Sequence, residues 1–175
     1  MVTITISGTP GSGKSTVALI LEKKLGLKYI YSGEIFRKLA VKHKMSLEEF
    51  GRYCENNREI DQELDDSQLE VIRKGEVILE GRLAGWLAHK HNIPAVKIMI
   101  DADIQTRAER IVMREGGDVK KRIQEILKRE KSEFLRYKKY YDINLKDNSI
   151  YDIVIDSADK TAEEVADIIM KNMNN

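Results

Sequence analysis

The sequence predicts an α/β domain in which helices cover both faces of a five-stranded parallel sheet. Short apolar, β-branched runs alternate with stretches of helical periodicity, and this alternation is typical of parallel sheets. A glycine-rich loop, GTPGSGKST from Gly8 to Thr16, joins the first such run to the first helical stretch. The length of 175 residues suits one domain with its own core.

Each element is predicted from the spacing of its apolar residues and from its start and stop signals. Ser46 and Glu49 have the spacing of a capping box, Asp103 is a predicted N-cap, and Gly116-Gly117 and Ser32-Gly33 are predicted breaks. The predicted strands are residues 2–6, 27–31, 76–80, 95–100 and 151–155. The predicted helices are residues 14–25, 34–43, 47–74 with a break near 56–57, 85–91, 103–114, 119–141 and 161–173.

Composition narrows the class of protein. The formal net charge is +1, so the chain as a whole is not predicted to bind nucleic acid. No apolar run approaches the roughly 20 residues that span a bilayer, and the start, MVTITISG, reads as a strand rather than a signal peptide. The single cysteine, Cys54, excludes an internal disulfide framework and favours a cytoplasmic location.

The glycine-rich loop fits the phosphate-binding pattern G-x-x-x-x-G-K-[ST] and lies between a predicted strand and a predicted helix. Its glycines let backbone N–H groups turn toward one anionic centre, and the helix that follows adds its positive end. Lys14 is expected to reach the terminal phosphates, and the Ser15 hydroxyl is expected to ligate Mg²⁺. The residues predicted to bind ATP here are Gly8, Thr9, Pro10, Gly11, Ser12, Gly13, Lys14, Ser15 and Thr16.

Further motifs distinguish among P-loop proteins. There is no Asn-Lys-x-Asp segment that would read guanine, and the chain is short for a helicase or motor. The loop, the segment YSGEIFR from Tyr31 to Arg37, the tripeptide Glu80-Gly81-Arg82, and a charged stretch at 129–136 follow one another in the order seen in nucleoside monophosphate kinases. Over almost its whole length the chain resembles the cytidylate kinases of the compact archaeal type.

The resemblance implies where the acceptor nucleotide binds. It implies that Ser32, Arg37 and Arg82 contact the monophosphate, and a guanidinium suits a phosphate because it can bind two of its oxygens. Glu80 ends a predicted strand and is expected to hold Mg²⁺ directly or through water. Many family members have an aspartate after the arginine of this tripeptide, whereas this chain has Leu83.

A second set of residues is predicted to close over both nucleotides. Arg129, Glu133 and Arg136 have the spacing i, i+4 and i+7, which puts them on one helical face. The resemblance implies that the two arginines span the donor and acceptor phosphates and that the acid contacts the acceptor ribose. It also suggests that Arg110 lies near the donor adenine. A solvated helix face with salt bridges is the alternative interpretation of these charges.

The resemblance implies that the acceptor nucleotide lies near Asn57, Arg58, Asp61 and Asp65. Arg58 and Asp61 are the predicted base-reading residues, with exposed helix charges as the equal alternative. The family fold implies one domain over residues 1–175. Its core is residues 1–31, 75–113 and 138–175, its monophosphate-binding insertion is residues 32–74, and its lid is residues 114–137. His43, His89 and His91 are expected at the surface, and Trp86 in the core.

The sequence thus predicts an enzyme that uses ATP and Mg²⁺ to phosphorylate CMP or dCMP. Lys14, Arg82, Arg129 and Arg136 would neutralise the transferring group, without a covalent intermediate. The expected enzyme is a cytoplasmic monomer with small-molecule partners and with no nucleic acid or membrane. One alternative is a P-loop kinase with another acceptor, such as AMP, UMP or a non-nucleotide. A more distant alternative is an ATP-switched assembly factor, against which the Arg37 and Arg82 pair argues.

Overall fold

Five strands form one sheet at the centre of the molecule. The computed structural model describes residues 2–173, and the side chains of all of these except Leu47, Glu48 and Glu55. The strands are β1 (Ile4–Gly8), β2 (Lys28–Tyr31), β3 (Val77–Glu80), β4 (Val96–Asp101) and β5 (Ile153–Asp156). They pair in parallel in the order β2-β3-β1-β4-β5. The predicted parallel five-stranded sheet is confirmed.

The helices cover the sheet in two layers, and a further group of helices packs beside it. They are α1 (Lys14–Leu25), α2 (Ser32–Lys42), α3 (Leu47–Asn56), α4 (Arg58–Lys74), α5 (Ala84–Lys90), α6 (Ile104–Glu115), α7 (Val119–Tyr141) and α8 (Ala162–Met173). The predicted break near residues 56–57 separates α3 from α4. The predicted caps are also present, since the Ser46 hydroxyl accepts from the Glu49 N–H and the Asp103 carboxylate accepts from the Thr106 N–H.

Two apolar clusters hold the layers to the sheet. On one face Ile4 and Ile6 of β1 pack against α1 and α8, and on the other face Leu79 of β3 packs against α4, α5 and α7. All five residues of β1 are buried, as expected for a central strand covered on both sides. Trp86 lies in the second cluster, which confirms its prediction as a core residue.

Three local predictions were wrong. The first strand spans Ile4–Gly8 rather than residues 2–6. Its pairing with β4 begins at Ile4 and Val96 and continues to Gly8 and Ile100. Helix α2 starts at Ser32 with no break. Glycine is needed at this position because the Tyr31 ring lies close to its backbone. A methyl group on Gly33 would lie 2.4 Å from that ring.

His43 is the third correction. It was expected at the surface with His89 and His91, which are exposed. The His43 side chain is instead only 25% exposed, because its Nε2 lies 2.9 Å from a Glu63 carboxylate oxygen and its ring stacks on Phe50.

The chain topology brings the ends of the parallel strands to one edge of the sheet. The loop after β1, the start of α2, and the residues that follow β3 all lie there. Helices α2, α3 and α4 share a small cluster around Phe50 and Cys54, and α6 packs against α7 through Ala108, Ile111 and Ile126. Among the described residues no helix is both long and apolar enough to cross a membrane.

Candidate active site

The glycine-rich loop turns directly from β1 into α1. Gly11 and Gly13 have φ of 83° and 87°, in the left-handed region that favours glycine. A methyl group on Gly11 would also lie 2.6 Å from the Arg107 carbonyl oxygen, so both conformation and space require glycine there. The loop thus presents its backbone and the positive end of α1 to one point, a geometry suited to an anion.

Lys14 is the first residue of α1, and its ammonium folds back over the loop. Its Nζ donates to the Thr9 carbonyl at 3.1 Å and lies 3.9 Å from Glu80 Oε1. Burial lowers the pKa of Lys14 to about 8, although the neighbouring Glu80 carboxylate opposes this shift. At neutral pH the group therefore remains mostly cationic and lies beside the anion-binding loop.

Glu80 is held from two sides at the end of β3. The Ser15 hydroxyl donates to Glu80 Oε1 at 3.0 Å, and the Tyr29 hydroxyl donates to Oε2. Only 1% of Glu80 is exposed. Burial and the Glu80 carboxylate raise the pKa of Tyr29, so its phenol stays protonated. Ser15 and Glu80 together place two hard oxygen ligands at the mouth of the loop, which is the donor set that Mg²⁺ prefers.

Arg82 connects the loop to α7. Its Nη1 donates to the Gly8 carbonyl at 3.0 Å and its Nε donates to Glu133 at 2.6 Å. Glu133 also accepts from Arg129 Nε at 2.8 Å. Burial alone would raise the pKa of Glu133, but the two guanidiniums hold it below its usual range. The structure therefore joins three sequence-predicted residues in one charged group.

Arg136 is separated from that group. Its Nη2 donates to the Tyr137 hydroxyl at 2.7 Å, and its Nε lies 3.8 Å from Asp61 Oδ1. Asp61 is itself only 2% exposed. The shared helical face of Arg129, Glu133 and Arg136 is thus real, but the last of these lies against α4 and not in the cavity lining.

Arg110 lies on the opposite side of the loop. Its Nη2 donates to the Ser157 carbonyl at 2.6 Å, and its Nη1 donates to the Ser157 hydroxyl at 3.0 Å. Arg107, one turn earlier, is buried and donates to Ala102 and Glu130. Arg110 is therefore the arginine of this pair that borders the open space, and its predicted place near the donor adenine stays a prediction.

The predicted acceptor residues on α2 and α4 take different positions. Ser32 borders the open space beside Arg82. Arg37 is exposed, with its guanidinium 5.8 Å from the centre of the Tyr31 ring. Arg58 is exposed and its Nη2 donates to the Tyr140 carbonyl at 3.3 Å. Leu83 is buried in the core beside α5.

One cavity of about 710 Å³ unites most of these groups. Its lining includes loop residues 10–16 together with Ser32, Glu80, Arg82, Arg110, Arg129 and Ser157. It also includes Tyr31, Arg114 and Arg122, which sequence reasoning missed, as it missed Tyr29. The alternation of Tyr29 and Tyr31 along a short strand was the available signal for the two tyrosines. The two arginines flank the Gly116-Gly117 break, which marked a turn but not a charge cluster.

Comparison with known proteins places these features in a family. The sequence profile of the cytidylate kinase-like family matches residues 3–159. A cytidylate kinase of Archaeoglobus fulgidus is 46% identical over 169 residues, covering 96% of this chain and 92% of its own length. A cytidylate kinase of Methanococcus maripaludis strain C5 is 44% identical over 173 residues, covering 98% of this chain and 97% of its own length.

Solved structures with the same architecture have much lower sequence identity. A crystal structure of an uncharacterized protein from Eubacterium ventriosum has a TM-score of 0.75 at 22% identity, covering 100% of this chain and 99% of that chain. Shikimate kinase from Bacteroides thetaiotaomicron has a TM-score of 0.68 at 12% identity, covering 99% of both chains. These structures confirm the P-loop kinase fold.

Proposed function

The chain belongs to the cytidylate kinase-like family, and from that premise we propose that it transfers the γ-phosphoryl group of ATP to CMP or dCMP. The products would be ADP and CDP or dCDP. The observation that carries the proposal is the position of Arg82 and Arg129 in the same cavity as the phosphate-binding loop. A second cationic site beside the loop suits a second phosphate, which a simple ATP switch does not require.

The donor side is built on the loop and α1. The β- and γ-phosphates of ATP would lie on the backbone of residues 8–16, with Lys14 at the terminal phosphates. Arg110 and Ser157 border the cavity on the side proposed for adenine. Ser15 and Glu80 would hold Mg²⁺, which supplies charge neutralisation at the phosphates when bound.

The acceptor side is built on α2 and the end of β3. Arg82 would bind the acceptor phosphate, and Ser32 would border it. Arg37 lies beside Tyr31, which lines the cavity, and we propose that its flexible side chain reaches the same phosphate. Glu133 would face the ribose while holding Arg82 and Arg129 in place.

Transfer would depend on position and charge. Lys14, Arg82 and Arg129 surround the point at which the two phosphates would meet, so negative charge that spreads in the transition state finds fixed cations. The predicted role of Arg136 at the transferring group requires its guanidinium to leave Asp61, and it stays a prediction. We also propose that residues 114–137 act as a lid and residues 32–74 as the acceptor-binding insertion, and that closure excludes water.

We also propose that a monomer is active on its small-molecule substrates in the cytoplasm. Size-exclusion chromatography with light scattering would test this at working concentration. A mass of one chain, 20.1 kDa, is expected, and an active dimer would contradict it.

The function is tested by measuring ADP formation from Mg-ATP with CMP, dCMP, UMP, AMP and GMP, each supplied separately. Fast turnover with CMP or dCMP is expected. Lys14→Ala should lower kcat by at least about 100-fold, because a fixed charge at the transferring group is lost. Lys23→Ala, which removes an exposed lysine from the same helix, is the matched control. Preference for a purine monophosphate, or acceptor-independent hydrolysis, would overturn the proposal.

A further inference from the structure

A second polar cluster lies between α4 and α7, outside the phosphate machinery. Asp61, Asp65 and Gln68 of α4 are buried at 2%, 5% and 4% exposure. They meet Arg136 and Tyr141 of α7, since Arg136 Nε lies 3.8 Å from Asp61 Oδ1 and the Tyr141 hydroxyl donates to Asp61 Oδ2 at 3.3 Å. This group of five is called the α4–α7 cluster below.

The cluster is incompletely paired. Among the described residues, Asp65 Oδ2 and Arg136 Nε are buried polar atoms with no hydrogen bond of good geometry, although the Tyr141 hydroxyl lies near enough to the Asp65 carboxylate to lower its pKa against the effect of burial. Burying such a group without a partner is unfavourable, more so when it is charged. Asp65 Oδ2 has no role in the proposed phosphate chemistry. A buried acceptor that the fold leaves without a well-formed hydrogen bond points to a polar ligand.

The cluster adjoins the acceptor side of the cavity. A methyl group on Gly81 would lie 2.7 Å from the Ser32 hydroxyl oxygen and 3.1 Å from Gln68 Oε1. Both side chains therefore lie against the same residue, and Ser32, Gly81 and Arg82 line the cavity. Arg136 follows Glu133 by one turn of α7 and lies against Asp61 of α4, so a nucleotide with its phosphate at Arg82 and its ribose near Glu133 would have its base on the α4 side.

The free atoms of Asp65 and Gln68 match one pyrimidine. Gln68 Nε2 donates one N–H to Asp65 Oδ1 at 3.3 Å, so a second amide N–H and the Asp65 Oδ2 acceptor lie on neighbouring side chains. This acceptor next to a donor complements cytosine, whose N4 amine donates and whose N3 accepts. Uracil presents the reverse order, so its O4 would face a carboxylate oxygen. Burial raises the pKa of Asp65 to about 7, and donation from the N4 amine would stabilise its charged form.

We propose that Asp65 and Gln68 read the Watson–Crick edge of cytosine and thereby set the preference for CMP over UMP. Asp65 Oδ2 accepts from the N4 amine and the Gln68 amide donates to N3. Asp61, Arg136 and Tyr141 hold the pair in place. The inference rests on the proposed function and differs from the sequence-based expectation for Arg58, which lies on the exposed side of α4 and donates to the Tyr140 carbonyl.

Asp65→Asn tests the acceptor. The amide can turn its NH₂ toward uracil O4, so the ratio of kcat/KM for CMP to that for UMP should fall by roughly 10- to 100-fold, as for loss of a charged hydrogen bond. Asp66→Asn changes the neighbouring exposed carboxylate and should keep the wild-type ratio. Dissociation constants for CMP and UMP, measured calorimetrically without ATP, should show the same change.

Gln68→Met tests the donor independently, with little change in volume. CMP should lose roughly 10-fold in kcat/KM, while UMP changes little. Gln62→Met, at an exposed position of the same helix, is its control. If Asp65→Asn does not fold, the result for Gln68→Met alone tests the base-reading role.

The outcomes separate the two proposals. A wild-type enzyme without a preference for cytosine nucleotides would overturn the proposed function itself. A wild-type preference for CMP that a folded Asp65→Asn and Gln68→Met both retain within about twofold, well inside the change expected for one hydrogen bond, would overturn only the base-reading role.

Discussion

Glu80 is a buried carboxylate that is held by its neighbours. Its two oxygens accept from Ser15 and from Tyr29, and Lys14 lies 3.9 Å away. A buried charge without such partners would be strongly destabilising. Tyr29 therefore orients the carboxylate that is proposed to hold Mg²⁺, although it does not itself belong to the phosphate-binding motif.

Tyr29→Phe should remove one of these hydrogen bonds and leave Glu80 Oε2 buried without it. We expect a loss of about 1–3 kcal/mol in the free energy of unfolding, together with a higher Mg²⁺ concentration for half-maximal ADP formation. Thermal unfolding and a Mg²⁺ titration measure the two effects. Tyr53→Phe, which removes a hydroxyl from a more exposed ring, is the control. Unchanged Mg²⁺ dependence would rule out the orienting role.

The lowered pKa of Lys14 predicts that kcat/KM for ATP falls at alkaline pH. Its pKa is lowered to about 8 in the folded protein, so the free enzyme loses this cation as the pH rises above 8. We expect kcat/KM for ATP to fall about tenfold per pH unit above that point, since this parameter reports the free enzyme. The value of kcat should persist to higher pH, because bound phosphates stabilise the charged form. A flat kcat/KM profile up to pH 9.5 would contradict this.

The turn between α6 and α7 depends on two glycines. Gly116 and Gly117 have φ of 75° and 103°, and the Gly116 ψ of −174° puts it in a region that is essentially restricted to glycine. A methyl group on Gly116 would meet no atom within 4 Å. The glycine is therefore required for backbone conformation alone.

Gly116→Ala should lower the free energy of unfolding by about 1–3 kcal/mol through backbone strain. Gly51→Ala provides a contrast inside α3, where a methyl group would lie 4.0 Å from Phe36. There alanine should stabilise the protein by roughly 0.5–1 kcal/mol, because it favours helix over glycine. Chemical denaturation of both variants measures the opposite signs. Equal changes in the free energy of unfolding for the two variants would mean that the turn relaxes around alanine, which would contradict the strain expected at Gly116.

Sequence reasoning identified the elements whose formation is determined by residues close together in the sequence. The buried β-branched runs predicted the strands, and the glycine spacing predicted the phosphate loop, because each pattern is complete within a few neighbouring residues. The start of α2 at Ser32 was missed because the close approach of the Tyr31 ring to Gly33 replaced the expected turn. Tyr29 and Gln68 were missed because their partners, Glu80 and Gly81, are distant in sequence and meet them only in the folded sheet.

At the scale of the whole molecule, hydrogen bonds across the cavity join the phosphate-binding loop to α7. Arg82, at the end of β3, binds both the Gly8 carbonyl and Glu133 of α7. Helices α2, α3 and α4 enclose Cys54, which is 1% exposed. A ligand that touches the loop, α4 and α7 would therefore oppose opening of all these parts together.

Cys54 should report such opening through its reaction with a thiol reagent such as DTNB. In the folded protein we expect labelling about 100-fold slower than in the urea-unfolded chain, which corresponds to roughly 3 kcal/mol of local opening. CMP at 100 times its dissociation constant should slow it by up to about another 100-fold, if the open form cannot bind. CMP should not change labelling of the unfolded chain. Fast labelling that is indifferent to CMP would contradict a closed α2–α4 group.

The burial of this lone thiol also makes the protein convenient for fluorescence spectroscopy. Val41 on α2 and Leu127 on α7 are exposed at 76% and 52%, so cysteines placed there would react long before Cys54. A donor and an acceptor dye could then be attached without removing the native residue. Energy transfer between them would follow the distance between the two proposed mobile segments, one molecule at a time, during turnover.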